Sequence, residues 1–253
     1  MRIYSLKSSK LVIISKIIII IFWIIVSRIV DNEVIFPTIK STITSLIDII
    51  RGPYFFNVIR YSLIRTLVGF TISLILAILI GVLASVFKVI LYIMLPIVNF
   101  LSSVPTMAII ILALIWLDNE VVPLFVGFIM VFPILYESVL KGIGNVDKNI
   151  IEMAELYKVD RIHVIKDIYI PNILYSLNSV FSSTLGLNLK MVIAGEALSQ
   201  PNYGIGSSLQ LEKTYLNTPA VFAWIIIILL ISKFLEGLLN RLDNILHINR
   251  WKG

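Results

Sequence analysis

Residues 152–171 read EMAELYKVDRIHVIKDIYIP and hold seven charged side chains: Glu152, Glu155, Lys158, Asp160, Arg161, Lys166 and Asp167. Charged residues are only 14% of the chain. Other groups capable of chemistry are sparse. There are two histidines, His163 and His247, and no cysteine. Lys190, with Asn188 and Glu196 nearby, interrupts an otherwise apolar stretch. The acids Glu137 and Glu236 stand near the ends of apolar runs. Without cysteine there is no disulfide, thiol catalysis or thiolate metal site. His163 has no partner constellation for acid–base work, so we read it as part of a surface.

The elements that position these groups follow from hydropathy. The chain has 253 residues, 58% of them hydrophobic, and a mean hydropathy of +0.99, which excludes a soluble domain. Apolar runs near 20 residues recur along its length, continuous rather than alternating, and read as transmembrane helices. The expected fold is an all-α polytopic membrane protein, a single transmembrane domain over 1–253. Six spans are expected: 11–30, 58–86, 89–117, 121–140, 173–195 and 220–239. Pro105, in the third, predicts a kink or break. The basic residues before the first run mimic a signal peptide, but no small-residue cleavage site follows, so that run reads as a retained span.

The net charge of +6 is a topology signal. With the N-terminus in the cytoplasm, the inside segments carry Arg2, Lys7, Lys10, Lys16, Lys88, Lys141, Lys148, Lys158, Arg161, Lys166, Lys233, Arg241, Arg250 and Lys252. Outside loops hold Lys40, Arg51 and Lys213, with Arg28, Arg60 and Arg65 at outer halves of spans. This bias predicts both termini in the cytoplasm of a multi-pass protein. Nucleic acid is not an expected partner, because no soluble basic domain exists. Arg65 is expected to snorkel or to cap a helix end.

That topology makes 141–171 the longest inside loop. Glu152, Ala154 and Glu155 are expected to open a helix with Met153, Leu156 and Tyr157 on its apolar face. Asp160 is the expected N-cap of a second short helix through Ile162, Ile165 and Ile168, and Pro171 suits the first turn of the next span. Such a loop could rest on lipid headgroups, but surfaces of that kind favour cations. Residues 141–171 balance Lys141, Lys148, Lys158, Arg161 and Lys166 against Asp147, Glu152, Glu155, Asp160 and Asp167. Balanced charge around apolar anchors fits a protein partner better. Among the outside segments, 31–57 contains a surface helix marked by Ile39, Ile43, Leu46 and Ile50, and 196–219 contains the turn-rich PNYGIG at 201–206. This last stretch could close an outer mouth, touch a partner or simply turn. Its glycines license the turn and nothing more.

The 152–171 stretch resembles the EAA loop of ABC importer permeases, with the pattern E-A-A, three residues, G, nine residues, I-x-L-P. Here Glu152-Met153-Ala154, Lys158 and Ile168-Tyr169-Ile170-Pro171 keep that spacing. Lys158 stands where the pattern has the glycine that turns between two helices, and a lysine at positive φ costs about 1 kcal/mol. Three further stretches are similar to the nitrate, sulfonate and taurine permease group: SLIRTLVGF at 62–70, SVPTMAIIILALIWL at 103–117 and GLNLKMVIAGE at 186–196. The last has Leu189 for a tryptophan and Gly195 for an alanine.

The resemblance implies the type I importer transmembrane fold, with its core over 57–240 and its coupling loop at 141–171, in a bacterial cell membrane. It implies a dimer, a homodimer here, whose coupling residues Glu152, Ala154, Glu155, Lys158, Asp160, Arg161, Ile168 and Pro171 dock on a dimer of cytoplasmic ATPase subunits. An extracytoplasmic binding protein would deliver a small anionic or polar solute, and membrane lipid surrounds the chain. ATP and Mg would be bound by the ATPase, so no cofactor and no catalysis are expected in this chain, which has no phosphate-binding G-x-x-x-x-G-K-[ST] motif. Asn188, Lys190 and Glu196 are the pathway candidates. Lys190 faces a cavity or pairs with Glu196, although six residues sit poorly on one helix face. A secondary transporter or channel is the rival class, disfavoured by the absence of a two-fold repeat and of acids deep in the spans.

Overall fold

The computed structural model describes residues 9–248. Arg2, Lys7, Arg250 and Lys252 lie outside the described residues, and for Lys10, Arg241 and His247 only the helical backbone is described. The helices are α1 (Ser9–Val30), α2 (Ile39–Arg51), α3 (Phe55–Val86), α4 (Lys88–Ser103), α5 (Thr106–Trp116), α6 (Val122–Gly144), α7 (Lys148–Leu156), α8 (Arg161–Val164), α9 (Ile170–Ser199), α10 (Ile205–Thr214) and α11 (Thr218–Ile248). A π-helical turn, Ile165–Tyr169, joins α8 to α9. The described residues form no strand. The all-α polytopic expectation holds, for the reason that only internally bonded helices satisfy the backbone in hydrocarbon here.

Among the described residues four helices are long and apolar enough to cross a membrane, within α1, α3, α6 and α11, and α4 with α5 makes a fifth if that bent pair is one span. The break at Pro105 is sharp. The two axes differ by 104°, with α4 ending on a Val104 N to Phe100 O bond of 3.0 Å and α5 restarting after Pro105. The expected span 173–195 lies inside α9, whose thirty residues extend about 45 Å. Its composition is too polar to count with the others, because Asn178, Ser179, Ser182, Ser183, Thr184, Asn188 and Lys190 fall within it.

The chain divides into two compact units, Met1–Phe55 with Leu209–Ile228, and Phe56–Ser208 with Leu229–Gly253. In the first, Trp23 donates through Nε1 to Pro37 O at 2.9 Å. Its ring meets those of Phe36 and Phe222, with centroids 6.2 and 5.4 Å away. Thr218 Oγ1 donates to Val34 O. These contacts hold the segment after α1 in place. The expected surface helix is α2, begun by Thr38, whose hydroxyl accepts from Ser41 N at 3.1 Å.

In the second unit α6 and α9 pack antiparallel along most of their length, and glycines make this possible. A β-carbon on Gly142 would lie 2.7 Å from Ile173 Cα, on Gly127 2.2 Å from Asn188 Oδ1, and on Gly195 2.8 Å from Pro123 Cα. Close backbone approach through small residues is how helices pack where lipid gives no hydrophobic drive. Ser176 Oγ adds a bond across the pair to Ser138 O at 2.8 Å. α3 joins them, with Ser73 Oγ donating to Phe128 O at 2.9 Å. Phe70, Leu135, Val139, Leu177 and Leu185 fill the buried core between.

Candidate functional site

The charged stretch forms a helix, a turn and a helical rod. α7 begins earlier than the sequence suggests: Asp147 caps it by accepting from Asn149 N at 2.9 Å. Glu152, Ala154 and Glu155 therefore lie in its second half rather than opening it. α7 ends in a Schellman turn, with Val159 N on Ala154 O at 2.9 Å and Lys158 N on Glu155 O at 3.0 Å. Such a turn requires a left-handed residue at the position of Lys158. Lys158 adopts φ 51°, so the turn keeps its left-handed residue although a lysine stands in place of the motif glycine. Asp160 sits at the N-cap of α8, but its carboxylate makes no cap bond. Its carbonyl accepts from His163 N at 2.9 Å instead.

From Arg161 to Ser199 the chain is one uninterrupted helical rod, α8, the π turn and α9. Pro171 sits in the first turn of α9. It has no N–H to give to the preceding turn, and the π turn, closed by Ile170 N on Ile165 O, lies directly before it. Ile168 is half-buried on this joint. The surface of the element is apolar where a partner could meet it: Met153, Leu156, Tyr157 and Ile162 are exposed, Leu156 at 79%. Glu152, Glu155, Lys158, Asp160 and Arg161 surround them, also exposed. Ala154 differs. It is buried by the protein's own atoms, so its small size serves the turn itself.

The three residues singled out on α9 occupy different environments. Glu196 is fully buried, and its partner is Arg65 rather than Lys190. Arg65 Nη1 donates to Glu196 Oε1 at 2.8 Å and to Tyr203 O at 2.6 Å. Ser62 Oγ lies 2.8 Å from both carboxylate oxygens, and Gly206 N donates to Oε2 at 3.0 Å. Arg65 Nη2 meets Glu120 Oε2, whose other oxygen accepts from Asn202 N at 2.8 Å. Tyr61 lies under the guanidinium, 5.8 Å from Cζ to the ring centre, and stacks on Tyr203. A buried carboxylate costs several kcal/mol to dehydrate, and here three donors, Arg65, Ser62 and Gly206, are turned on it.

Arg65 is thus buried within an ionic clasp, neither snorkelling nor capping a helix. Sequence reasoning missed this because Arg65 and Glu196 are far apart in the chain. The available signal was that the expected spans leave Arg65, Glu120 and Glu196 all toward the outer side. The glycines of PNYGIG also differ from expectation. No glycine has positive φ among the described residues. Their role is close approach: a β-carbon on Gly204 would lie 2.7 Å from the Glu196 carboxyl carbon, and on Gly206 2.1 Å from Ile193 O.

Asn188 is also buried. Its Nδ2 donates to Thr66 O at 2.8 Å while Oδ1 lies against Gly127 without a hydrogen-bond donor, tying α9 to α3 and α6. Lys190 is exposed and lines a cavity of about 530 Å³ bounded by α9 and α11.

The sequence is similar to those of known proteins. Residues 69–246 match the family described as binding-protein-dependent transport system inner membrane component. A probable ABC transporter permease protein of Brucella abortus is 25% identical over 76% of both chains. A putative aliphatic sulfonates transport permease protein of Escherichia coli is 30% identical over 55% of this chain and 53% of its own. Its Bacillus subtilis namesake is 23% identical over 89% of this chain and 82% of its own. The match spans most of the chain, from the middle of α3 through the 148–171 element and α9 into α11, and on it the chain belongs to the binding-protein-dependent transport inner membrane component family of ABC transporter permeases.

Proposed function

We propose that this chain is the permease subunit of an ATP-driven importer and forms the translocation pathway for a small anionic or polar solute. The observation that carries this reading is the union of an exposed apolar docking surface, Met153, Leu156, Tyr157 and Ile162, with a continuous helix from Arg161 to Ser199. A partner that seizes α7 and α8 moves α9 directly, with no flexible linker to absorb the motion. That partner is a pair of cytoplasmic ATPase subunits, which bind ATP and Mg and perform the hydrolysis. Glu152, Glu155, Asp160 and Arg161 form the polar rim of the contact, while Ala154, Lys158, Ile168 and Pro171 hold its shape.

In this reading both termini lie in the cytoplasm, the Arg65–Glu196 clasp lies at the outer face, and an extracytoplasmic binding protein delivers solute there. A second copy of the chain completes the pathway. The sulfonate relatives support an anionic or polar cargo. Lys190 faces the pathway, and Asn188 and Glu196 hold the helices that line it. The test is recovery of the ATPase with purified permease, beside ATP-driven uptake in proteoliposomes containing the binding protein. Leu156→Asp and Ile162→Asp should each lose both. Unchanged recovery and uptake refute the coupling role, and transport by the chain alone under an ion gradient establishes a secondary transporter instead.

A further inference from the structure

Within the rod from Arg161 to Ser199 one turn is wound differently from the rest. Ile170 N closes on Ile165 O, five residues back, where an α-helix closes on four. Single π turns of this kind are rare and cluster at functional sites. Pro171 supplies the cause. It has no N–H to give to Asp167 O, and in an α winding its ring would press on that carbonyl. Asn172 serves the next carbonyl with its side chain, Nδ2 donating to Ile168 O at 2.9 Å, so Ile168 O has a donor that does not depend on how the backbone is wound.

The turn also stands at a boundary. On its C-terminal side the backbone is held to α6. A β-carbon on Gly142 would lie 3.0 Å from Asn172 O and 2.7 Å from Ile173 Cα, and Ser176 Oγ donates to Ser138 O at 2.8 Å. On its N-terminal side, among the described residues, no hydrogen bond or ion pair joins 161–170 to another helix, and the pair His163–Asp167 lies within the rod. Ile165, Tyr169 and Ile170 share an apolar groove with Ile78, Val82 and Val86 of α3. Such a contact can slide, because it has no donors and acceptors to keep in register.

We propose that the turn 165–169 is the moving part of the coupling. It passes between the five-residue closure and an ordinary α closure, Ile170 N on Lys166 O, as the ATPase subunits close on α7 and α8. α9 and α6, held together at Gly142, then turn as one body against the docked helices. This rests on the coupling reading given above and locates the movement within the rod. One residue of an α-helix is worth about 100° of rotation and 1.5 Å of rise, so rewinding a single turn reorients whatever lies beyond it while the rod stays hydrogen-bonded. Pro171 holds the resting turn in the uncommon winding, because it deprives the α winding of one ladder bond.

The test is electron cryomicroscopy of the permease with its ATPase subunits in lipid nanodiscs, without nucleotide and with ATP on a hydrolysis-deficient ATPase. One state should show Ile170 N on Ile165 O and the other Ile170 N on Lys166 O, with the packing at Gly142 the same in both. An identical closure in the two states overturns the proposal. Pro171→Ala gives Asp167 O its donor and should favour the α winding throughout. A backbone hydrogen bond gained by one of two states biases the equilibrium about fivefold. Uptake per ATP hydrolysed, in proteoliposomes with the binding protein, should therefore fall about fivefold while recovery of the ATPase is unchanged. An unaltered ratio of uptake to hydrolysis also overturns the proposal. Should Pro171→Ala fail to assemble, the two states of the unmodified complex decide alone. A turn that never changes, in a complex that still drives uptake, leaves the coupling reading standing, whereas failure of the unmodified permease to retain the ATPase defeats both.

Discussion

The two ends of α9 are built on opposite principles. At the Ser199 end, Glu196 is enclosed by Arg65, Ser62 and Gly206, and the guanidinium goes on to Tyr203 and Glu120. At the Ile170 end, the helix continues through a π turn, where Ile165, Lys166 and Asp167 are exposed, into α8, where Ile162 is exposed. One end spends its charges on the protein itself and becomes an anchor. The other pairs Asp167 only with exposed His163, at 3.5 Å, leaves its apolar groups uncovered, and offers a surface. In the proposed coupling, an anchored end and a free end would make α9 a lever, with the saturation of each charge telling which end is which. Lys190 lies between the two and is open like the free end.

This contrast is broken most severely at the anchor. Arg65→Met removes the cation and leaves Glu196 buried beside a second acid, Glu120. Removing one partner of a buried pair typically costs about 3–5 kcal/mol. The expected outcome is a large fall in thermal stability of the purified permease, or loss of the folded protein from the membrane. A melting temperature close to that of the unmodified chain would show that the clasp is ornamental. Next in size is Gly206→Ala. Its β-carbon would lie 2.1 Å from Ile193 O and 2.6 Å from Ala197 N, both backbone atoms that cannot step aside. Overpacking of this kind costs about 1–3 kcal/mol, to be read from the same melting curve.

The free end should behave in the reverse way. Leu156→Asp places a carboxylate on a side chain already 79% exposed, so stability should change by no more than about 0.5 kcal/mol. Docking of the ATPase should weaken by about 2 kcal/mol if Leu156 is a central anchor of the contact, measured as the affinity of the purified subunits. A drop in melting temperature equal to that of Gly206→Ala would mean that Leu156 supports the fold and that the two ends of α9 are not so different.

Much of this contrast is written locally and was legible. Hydropathy reveals the long helices, because each lipid-facing run is continuous in sequence. Pro105 announces the break between α4 and α5, since a proline cannot continue a helix ladder. Motif spacing marks residue 158 as the turn position, but not that a lysine there adopts the left-handed conformation. What was hidden depends on contacts between distant segments. Nothing around Glu196 indicates that its cation comes from α3, or around Glu236 that it shares a cavity with Lys190. The glycines at 127, 142, 195 and 206 look like turn or flexibility residues until the helix each one admits is seen. The start of α7 was placed late because Lys148, Asn149 and Asp147 look like loop residues, although Asp147 is the cap.

The smallest expected effect tests the hinge of the free end. Lys158 adopts φ 51° in a turn where glycine is the ordinary residue, and the left-handed conformation costs a side-chain-bearing residue about 1–2 kcal/mol. Lys158→Gly removes that strain but gives the unfolded chain about 0.5–1 kcal/mol of extra freedom. The net gain should be under about 1 kcal/mol. It should appear locally, as slower hydrogen exchange at the amides of residues 158 and 159, which bond to Glu155 O and Ala154 O. Lys158→Val should speed exchange at residue 159, because a branched β-carbon raises the cost of positive φ. Uptake should be unchanged by the glycine, since the lysine is tolerated at the turn rather than required by it. Faster exchange in Lys158→Gly would show that the turn is not strained. Reduced uptake with intact exchange would place the lysine ammonium in the contact with the ATPase, and the free end would then hold a specific charge contact where only tolerance is expected.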